Sequence, residues 1–150
     1  MKPITVYLDT CCYNRPFDVQ VGETVRNETV ALLAILDHIR QGSLLLIGSD
    51  ALRIEISRTP NQNRRLAVQA LHGLAVASVG IDPTLQEDAK RLKLGGLRAM
   101  DALHFVCALK GRADFFLSCD HQLCNRARGI LTSSTATMQV MNPVDFHKLL

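Results

Sequence analysis

The sequence predicts an α/β fold, a parallel sheet of about five strands with helices on both faces. Short apolar runs rich in β-branched residues recur along the chain and are too brief for helices. Between them lie segments with apolar residues at helical spacing. The joints carry helix punctuation, Gly after one helix and Thr-Pro, Asp-Pro or Asn-Pro before the next. Strands that alternate with helices pair in parallel, because each crossover helix returns the chain to the same end of the sheet.

Residues 4–9, Ile-Thr-Val-Tyr-Leu-Asp, read as a buried first strand ending in a carboxylate. Ligands of open α/β sheets bind beyond the carboxyl ends of the strands, where the strand order reverses. Asp9 is therefore the first candidate ligand or acid–base group. Taken alone it is more simply read as a cap of the turn after the strand, with Thr10 helping. Residues 10–22 read as a polar, irregular connection containing Pro16. Thr24 is the expected N-cap of a helix over 25–41, with Val25, Leu32, Leu33, Ile35, Leu36 and Ile39 as its apolar face and Gly42 as its stop.

Residues 44–47 form the second strand, and Ser49 or Asp50 caps a helix over 51–58. Thr59-Pro60 restarts the helix, with Thr59 as N-cap, to about residue 74. A weaker third strand covers 76–81, interrupted by Gly80. Asp82-Pro83 opens a helix whose acids, Glu87 and Asp88, precede its bases, Lys90, Arg91 and Lys93, as the helix dipole favours. Gly95-Gly96 ends it. A helix over 98–110 offers Leu103, Phe105, Val106 and Leu109 for packing and stops at Gly111. Residues 115–118 are the fourth strand, 120–128 a short helix and 138–141 the fifth strand. Asn142-Pro143 starts a final helix to Leu150. No repeat, low-complexity tract or linker interrupts this alternation, so residues 1–150 are expected to form one domain.

At 47% hydrophobic and 21% charged, the chain can build a core. No stretch approaches the ~18 apolar residues of a membrane span, and the N-terminus enters a strand without a signal-peptide pattern. The expected location is the cytoplasm. Five cysteines at irregular spacing make no disulfide framework and fit a reducing compartment. A net charge of +3 is too weak to indicate nucleic-acid binding by itself. The basic residues nonetheless cluster, Arg53, Arg58, Arg64 and Arg65 in one stretch and Lys90, Arg91, Lys93 and Arg98 in another.

Asp120 follows the fourth strand as Asp9 follows the first. If those strands are neighbours, their carboxylates meet at one sheet edge. Glu55 lies on the helix after the second strand. Asp101 lies near the start of its own helix, on a face shared with His104 and Phe105. Four carboxylates from four segments can thus face one cleft. Carboxylates that close repel unless a cation is present, and hard Mg²⁺ or Mn²⁺ is the usual cation for oxygen donors. Taken singly, each acid also has a structural role open to it: solvated helix residue for Glu55, dipole partner for Asp101, N-cap for Asp120.

These segments, Ile4-Thr5-Val6-Tyr7-Leu8-Asp9-Thr10, Glu55 in Ser49-Asp50-Ala51-Leu52-Arg53-Ile54-Glu55, Ala99-Met100-Asp101-Ala102-Leu103-His104 and Phe116-Leu117-Ser118-Cys119-Asp120, resemble the PIN-domain family in order and over nearly the whole chain. The resemblance implies a three-layer α/β/α fold and an Mg²⁺- or Mn²⁺-dependent endoribonuclease. Small members are often toxins of toxin–antitoxin pairs, so an RNA substrate, an antitoxin protein and a homodimer are implied as partners. By the same resemblance Asp9, Glu55, Asp101 and Asp120 are the metal-holding and catalytic carboxylates, with Ser118 and Asn14 as supporting groups. Two features depart from the family pattern: Cys11-Cys12 follows the first Asp, and Cys124-Asn125 stands where some members carry a further acid.

Two rivals belong beside this reading. A PIN-like domain without catalysis would serve as a binding or regulatory module; four intact acidic positions argue against it. Cys11, Cys12, Cys119, His121 and Cys124 follow strands one and four, so a zinc site is a second rival. Burial as small apolar side chains is the simpler expectation for these thiols, and adjacent Cys11 and Cys12 are expected to point apart. His104 is expected to be a packed or solvated helix residue.

Overall fold

The computed structural model describes residues 2–150. Its centre is strand β1, Ile4–Leu8, whose Val6, Tyr7 and Leu8 are fully buried. β2, Leu44–Ser49, pairs with β1 on one side and β4, Phe115–Leu117, on the other, with Tyr7 opposite both Ile47 and Phe116. β3, Ala77–Val79, extends the sheet beyond β2, and β5, Gln139–Met141, extends it beyond β4. The order is β3-β2-β1-β4-β5 and every pairing is parallel. The chain first moves outward from β1 through β2 to β3, then crosses to β4 on the far side. The strand order therefore reverses between β1 and β4.

Among the described residues eight α-helices flank the sheet in a three-layer α/β/α arrangement: α1, Thr10–Asn14; α2, Glu23–Arg40; α3, Asp50–Ser57; α4, Gln62–His72; α5, Pro83–Leu94; α6, Ala99–Lys110; α7, His121–Leu131; and α8, Pro143–His147. α2 packs on β2 and α8, and α6 on β2, β3 and α5. The core joins Leu32, Ile35, Leu36 and Ile39 of α2, Phe105 and Val106 of α6, and the strands between them. Tyr7 stacks on Phe116 at 5.6 Å, and Phe105 meets Phe116 edge-on at 5.8 Å. These large rings fix the spacing of α6 from the sheet.

Local chemistry explains most boundaries. Ser49 caps α3 through Leu52 N–H, and Asp82 caps α5 through Leu85 N–H. Gly42, after α2, takes a φ of +79°.

The structure differs from expectation in several places. The segment expected to be irregular after Asp9 holds α1 and a turn of 3₁₀ helix, Arg15–Phe17. α2 begins after Gly22 rather than at Thr24, and Leu33 on it stays exposed. Asn61, not Thr59, caps α4, its side chain accepting from Arg64 N–H. α7 runs on to Leu131, and α8 stops at His147.

One contact invisible in the sequence ties the C-terminus to the site side of the sheet. Buried Glu28 of α2 accepts from Asn142 Nδ2 at 2.6 Å, and Arg15 Nε lies 3.2 Å from its other oxygen. The Arg15–Glu28 pair is one of charge; its hydrogen is not aligned for a bond. Among the described residues no helix is long and apolar enough to cross a membrane.

Candidate active site

Parallel register aligns the ends of β1 and β4. Leu8 is opposite Leu117, and Asp9 N–H donates to Leu117 C=O at 3.0 Å. Asp9 and Ser118 therefore leave their strands side by side at the switch point. A one-residue slip in either strand would turn one of them into the opposite layer. Ser118 is fully buried; its hydroxyl donates to Asp9 Oδ2 at 2.9 Å and accepts from Asp120 N–H at 3.1 Å. One serine thus ties the two strand-end acids together.

Asp9 is both cap and site residue. It stands at the N-cap of α1, and its Oδ1 accepts from Thr10 N–H at 2.7 Å. The carboxylate is 6% exposed, and its pKa is pushed up to about 7. Burial is the main cause and the neighbouring Cys11 adds to it, while His104, Ser118 and Thr10 pull the other way.

Glu55 arrives from α3. Its Oε1 accepts from the Thr10 hydroxyl, and His104 Nε2 lies 2.9 Å from the same oxygen. Among the described residues Oε2 has no hydrogen-bond partner. Ligand atoms of Asp9, Glu55 and His104 fall within 4.8 Å of one another. The His104 hydrogen bond holds the Glu55 pKa below its ordinary value, against the effect of partial burial. Burial opposes protonation of His104, but the Glu55 bond and the charges of Asp9 and Glu55 outweigh it and raise its pKa. Both shifts favour an ion pair. On its far side His104 Nδ1 bonds the Tyr7 hydroxyl at 2.8 Å, which bonds Ser49 Oγ at 2.7 Å. A buried line of hydrogen bonds thus runs from the cap of α3 back to Glu55 on the same helix.

Asp101 occupies the first turn of α6 and is half-buried. Its pKa is raised, first by burial and then by the charges of Asp9 and Asp120, with His104 and Arg98 opposing. Asp101 accepts no hydrogen bond among the described residues and stands outside the tight Asp9–Glu55–His104 group. Asp120 is exposed and N-caps α7, its Oδ1 accepting from Leu123 N–H at 3.1 Å. Asn14 turns back onto its own helix, donating to Thr10 C=O at 3.1 Å. It lines an open cavity of about 850 Å³ with Asn61 and Arg64, beside α4.

Sequence reasoning missed two members of this group. His104 is packed, as expected, yet it is the partner of Glu55. Thr10 bridges the two carboxylates, its N–H donating to Asp9 Oδ1 and its hydroxyl to Glu55 Oε1. The His104 position three residues after Asp101 was the only available signal. The cysteines also differ from expectation: Cys11 and Cys12 both reach Cys119, their three sulfurs lying within 4.8 Å of one another. His121 is exposed, and Cys124 Sγ instead donates to Ser118 C=O at 3.6 Å.

No family model matches the chain, and no curated protein does. Solved structures do. FitAcB from Neisseria gonorrhoeae superposes with a TM-score of 0.56 at 17% identity, over 92% of this chain and 97% of that one. VapBC2 from Rickettsia felis, solved bound to a DNA fragment from their promoter, gives 0.51 at 12% identity, over 93% and 98%. Both are PIN-domain complexes. The chain has a PIN-like fold. In this PIN-like frame Asp9, Glu55 and His104 meet at the switch point between β1 and β4, the place where open α/β sheets bind ligands.

Proposed function

We propose that the protein is a metal-dependent ribonuclease that hydrolyses RNA phosphodiester bonds, and that it acts as the toxin of a toxin–antitoxin pair. The observation that carries this reading is the gathering of Asp9 and Glu55 with His104 at the switch point of a PIN-like fold. The likeness to FitAcB and VapBC2 supports the toxin role and an antitoxin partner. On the same reading residues 1–150 act as one domain, in the cytoplasm and as a homodimer.

The donor set fits a hard divalent cation. Among the described residues Asp101 and Glu55 Oε2 lack hydrogen-bond donors; burial raises the pKa of Asp9, and burial with the charges of Asp9 and Asp120 raises that of Asp101. A cation would relieve that repulsion. Asp9, Glu55, Asp101 and Asp120 would hold it. When bound, Mg²⁺ or Mn²⁺ supplies charge neutralisation and Lewis acidity for phosphodiester hydrolysis.

The chain's own residues do the positioning. Ser118 and Thr10 N–H hold Asp9 in one rotamer. His104 and the Thr10 hydroxyl hold Glu55 and keep it ionised. Arg58 and Arg98 put positive charge beside Glu55 and Asp101 respectively. Both are exposed and, among the described residues, make no ion pair, so they are free to take RNA phosphates beside the acids.

Asp101→Asn should abolish cleavage of a generic RNA in Mn²⁺ while leaving the circular dichroism spectrum unchanged, because the amide is near-isosteric but a poorer, uncharged ligand. Wild-type cleavage by this variant would remove Asp101 from the site. Metal binding by the wild type without RNA cleavage would instead favour a silent binding module. Arg58→Ala and Arg98→Ala should raise KM for RNA more than they lower kcat. Each should reduce the slope of log KM against log salt by roughly one phosphate contact, about 0.7 on a single strand. An unchanged salt slope would show that neither arginine meets a phosphate.

A further inference from the structure

Three of the five cysteines meet beside the acidic site, which only one of them touches: the Cys11 thiol donates to Asp9 Oδ2 at 3.4 Å. Cys11 and Cys12 come from the first turn of α1, and Cys119 precedes the N-cap of α7. The segments lie 108 residues apart at the pair Cys11 and Cys119, and the Cys119 N–H donates to Cys11 Sγ at 3.3 Å. Cys12 and Cys119 are buried, whereas Cys11 is partly exposed and so opens the group to solvent. Cys12 is anchored by donation to Leu117 C=O at 3.3 Å.

Three sulfurs within 4.8 Å of one another are near the spacing of a thiolate metal site. Zn–S bonds of about 2.3 Å place tetrahedral thiolates roughly 3.8 Å apart, so closure needs movement of about 1 Å or less. Three thiolates around a divalent ion leave one negative charge. The Arg15 guanidinium, standing against Cys119 and shared with Glu28 and Asp18, offsets part of it. The fourth position is open to water or to Ser118 Oγ, 3.4 Å from Cys11 Sγ.

We propose that Cys11, Cys12 and Cys119 form a binding site for a soft divalent cation of the zinc and cadmium type, distinct from the oxygen-donor site. Softness separates the two sites: thiolates select zinc-like ions, and carboxylates select Mg²⁺ or Mn²⁺. The site does not depend on the nuclease reading.

The test uses the reduced, chelator-stripped full chain with cadmium chloride, then zinc chloride, as the only added metal. Cadmium should bind at one ion per chain and produce a thiolate-to-metal ultraviolet band that saturates at one equivalent. Millimolar Mn²⁺ should not displace it. Cys12→Ser and Cys119→Ser should each lose the band or weaken binding by about tenfold or more. Cys107→Ser, which removes a buried thiol of α6 outside the group, should keep it. Asp9→Asn should also keep it, even where RNA cleavage is lost, so failure of the nuclease reading leaves this result standing.

A serine variant that does not fold leaves the wild type to decide. Stoichiometric cadmium should protect Cys11, Cys12 and Cys119 from alkylation, read by mass spectrometry of the peptides. No thiolate band with stoichiometric cadmium, a band retained at unchanged affinity in both folded serine variants, no added protection of these three thiols, or displacement by Mn²⁺ would each overturn the proposal.

Discussion

Metal-free Asp9→Asn should be more stable than metal-free wild type at pH 8, and the advantage should shrink as pH falls toward 5. Asp9 carries a pKa of about 7 in the fold, against 3.8 for the free side chain. Between those values the native state binds more protons than the unfolded chain, so ionising Asp9 costs stability as pH rises. The cost is fully present above the folded pKa and absent below the unfolded one. From the size of the shift it is on the order of 2–4 kcal/mol at pH 8. Asparagine has no charge to desolvate and still offers Oδ1 to Thr10 N–H. Comparing the two proteins isolates Asp9 and the groups coupled to it, His104, Cys11 and Asp101, from the more distant titrating groups. Thermal melts in chelator at pH 5, 6, 7 and 8 measure it.

Mn²⁺ should reverse the order. A cation that binds only the folded form stabilises it by about 2.7 kcal/mol at a hundredfold excess over its dissociation constant. Wild type should gain this and the variant should gain much less, with cleavage eliminated. A variant destabilised by about 1 kcal/mol at every pH, with an unchanged Mn²⁺ response, would make Asp9 a helix cap and nothing more.

His104→Ala should be the most destabilising single change at the site, by about 2–4 kcal/mol at pH 6. His104 is 1% exposed and bonds Tyr7 on one side and Glu55 on the other. Its raised pKa sets the pH dependence: the added stability is complete below the unfolded value of 6.5 and is lost as pH rises through the folded one. The lowered Glu55 pKa works at the other limit, its contribution being lost as pH falls through the folded value. The penalty of the alanine should therefore shrink on the alkaline side.

Two conservative variants separate packing from positioning. Asparagine can imitate Nδ1 and keep the Tyr7 bond, whereas glutamine can imitate Nε2 and keep the Glu55 bond. If His104 positions Glu55, His104→Gln restores Mn²⁺ affinity and His104→Asn restores only stability. Equal Mn²⁺ affinity in both, at equal stability, would reduce His104 to a core residue.

The alternation of elements was legible because it is written in local chemistry. Asp82-Pro83, Asn142-Pro143, Gly95 and Gly111 mark helix ends by backbone preferences that need no tertiary partner. The segment after Asp9 was not legible. α1 is only five residues long, and its Cys12 and Tyr13 are buried, so it owes its helix to packing rather than to propensity. Thr59-Pro60 misled for the opposite reason, since the cap that formed is Asn61, whose side chain reaches Arg64 N–H.

Asp9, Glu55, Asp101 and Asp120 stood out in the sequence because each sits at a strand end or on a helix tied to one. The sequence by itself determined the α/β class and the helix punctuation, since both follow from residue type and spacing along the chain, whereas the four acids were singled out as a set by the resemblance to the PIN-domain family. Only the tertiary structure decided which groups meet. The pairing of β1 with β4 put Ser118 between Asp9 and Asp120, and the packing of α6 on the sheet put His104 against Glu55 and Tyr7. The same pairing brought Cys119 to Cys11 and Cys12. Those contacts join residues tens to more than a hundred positions apart, and the buried field that pushes the Asp9 pKa to about 7 arises only when they close.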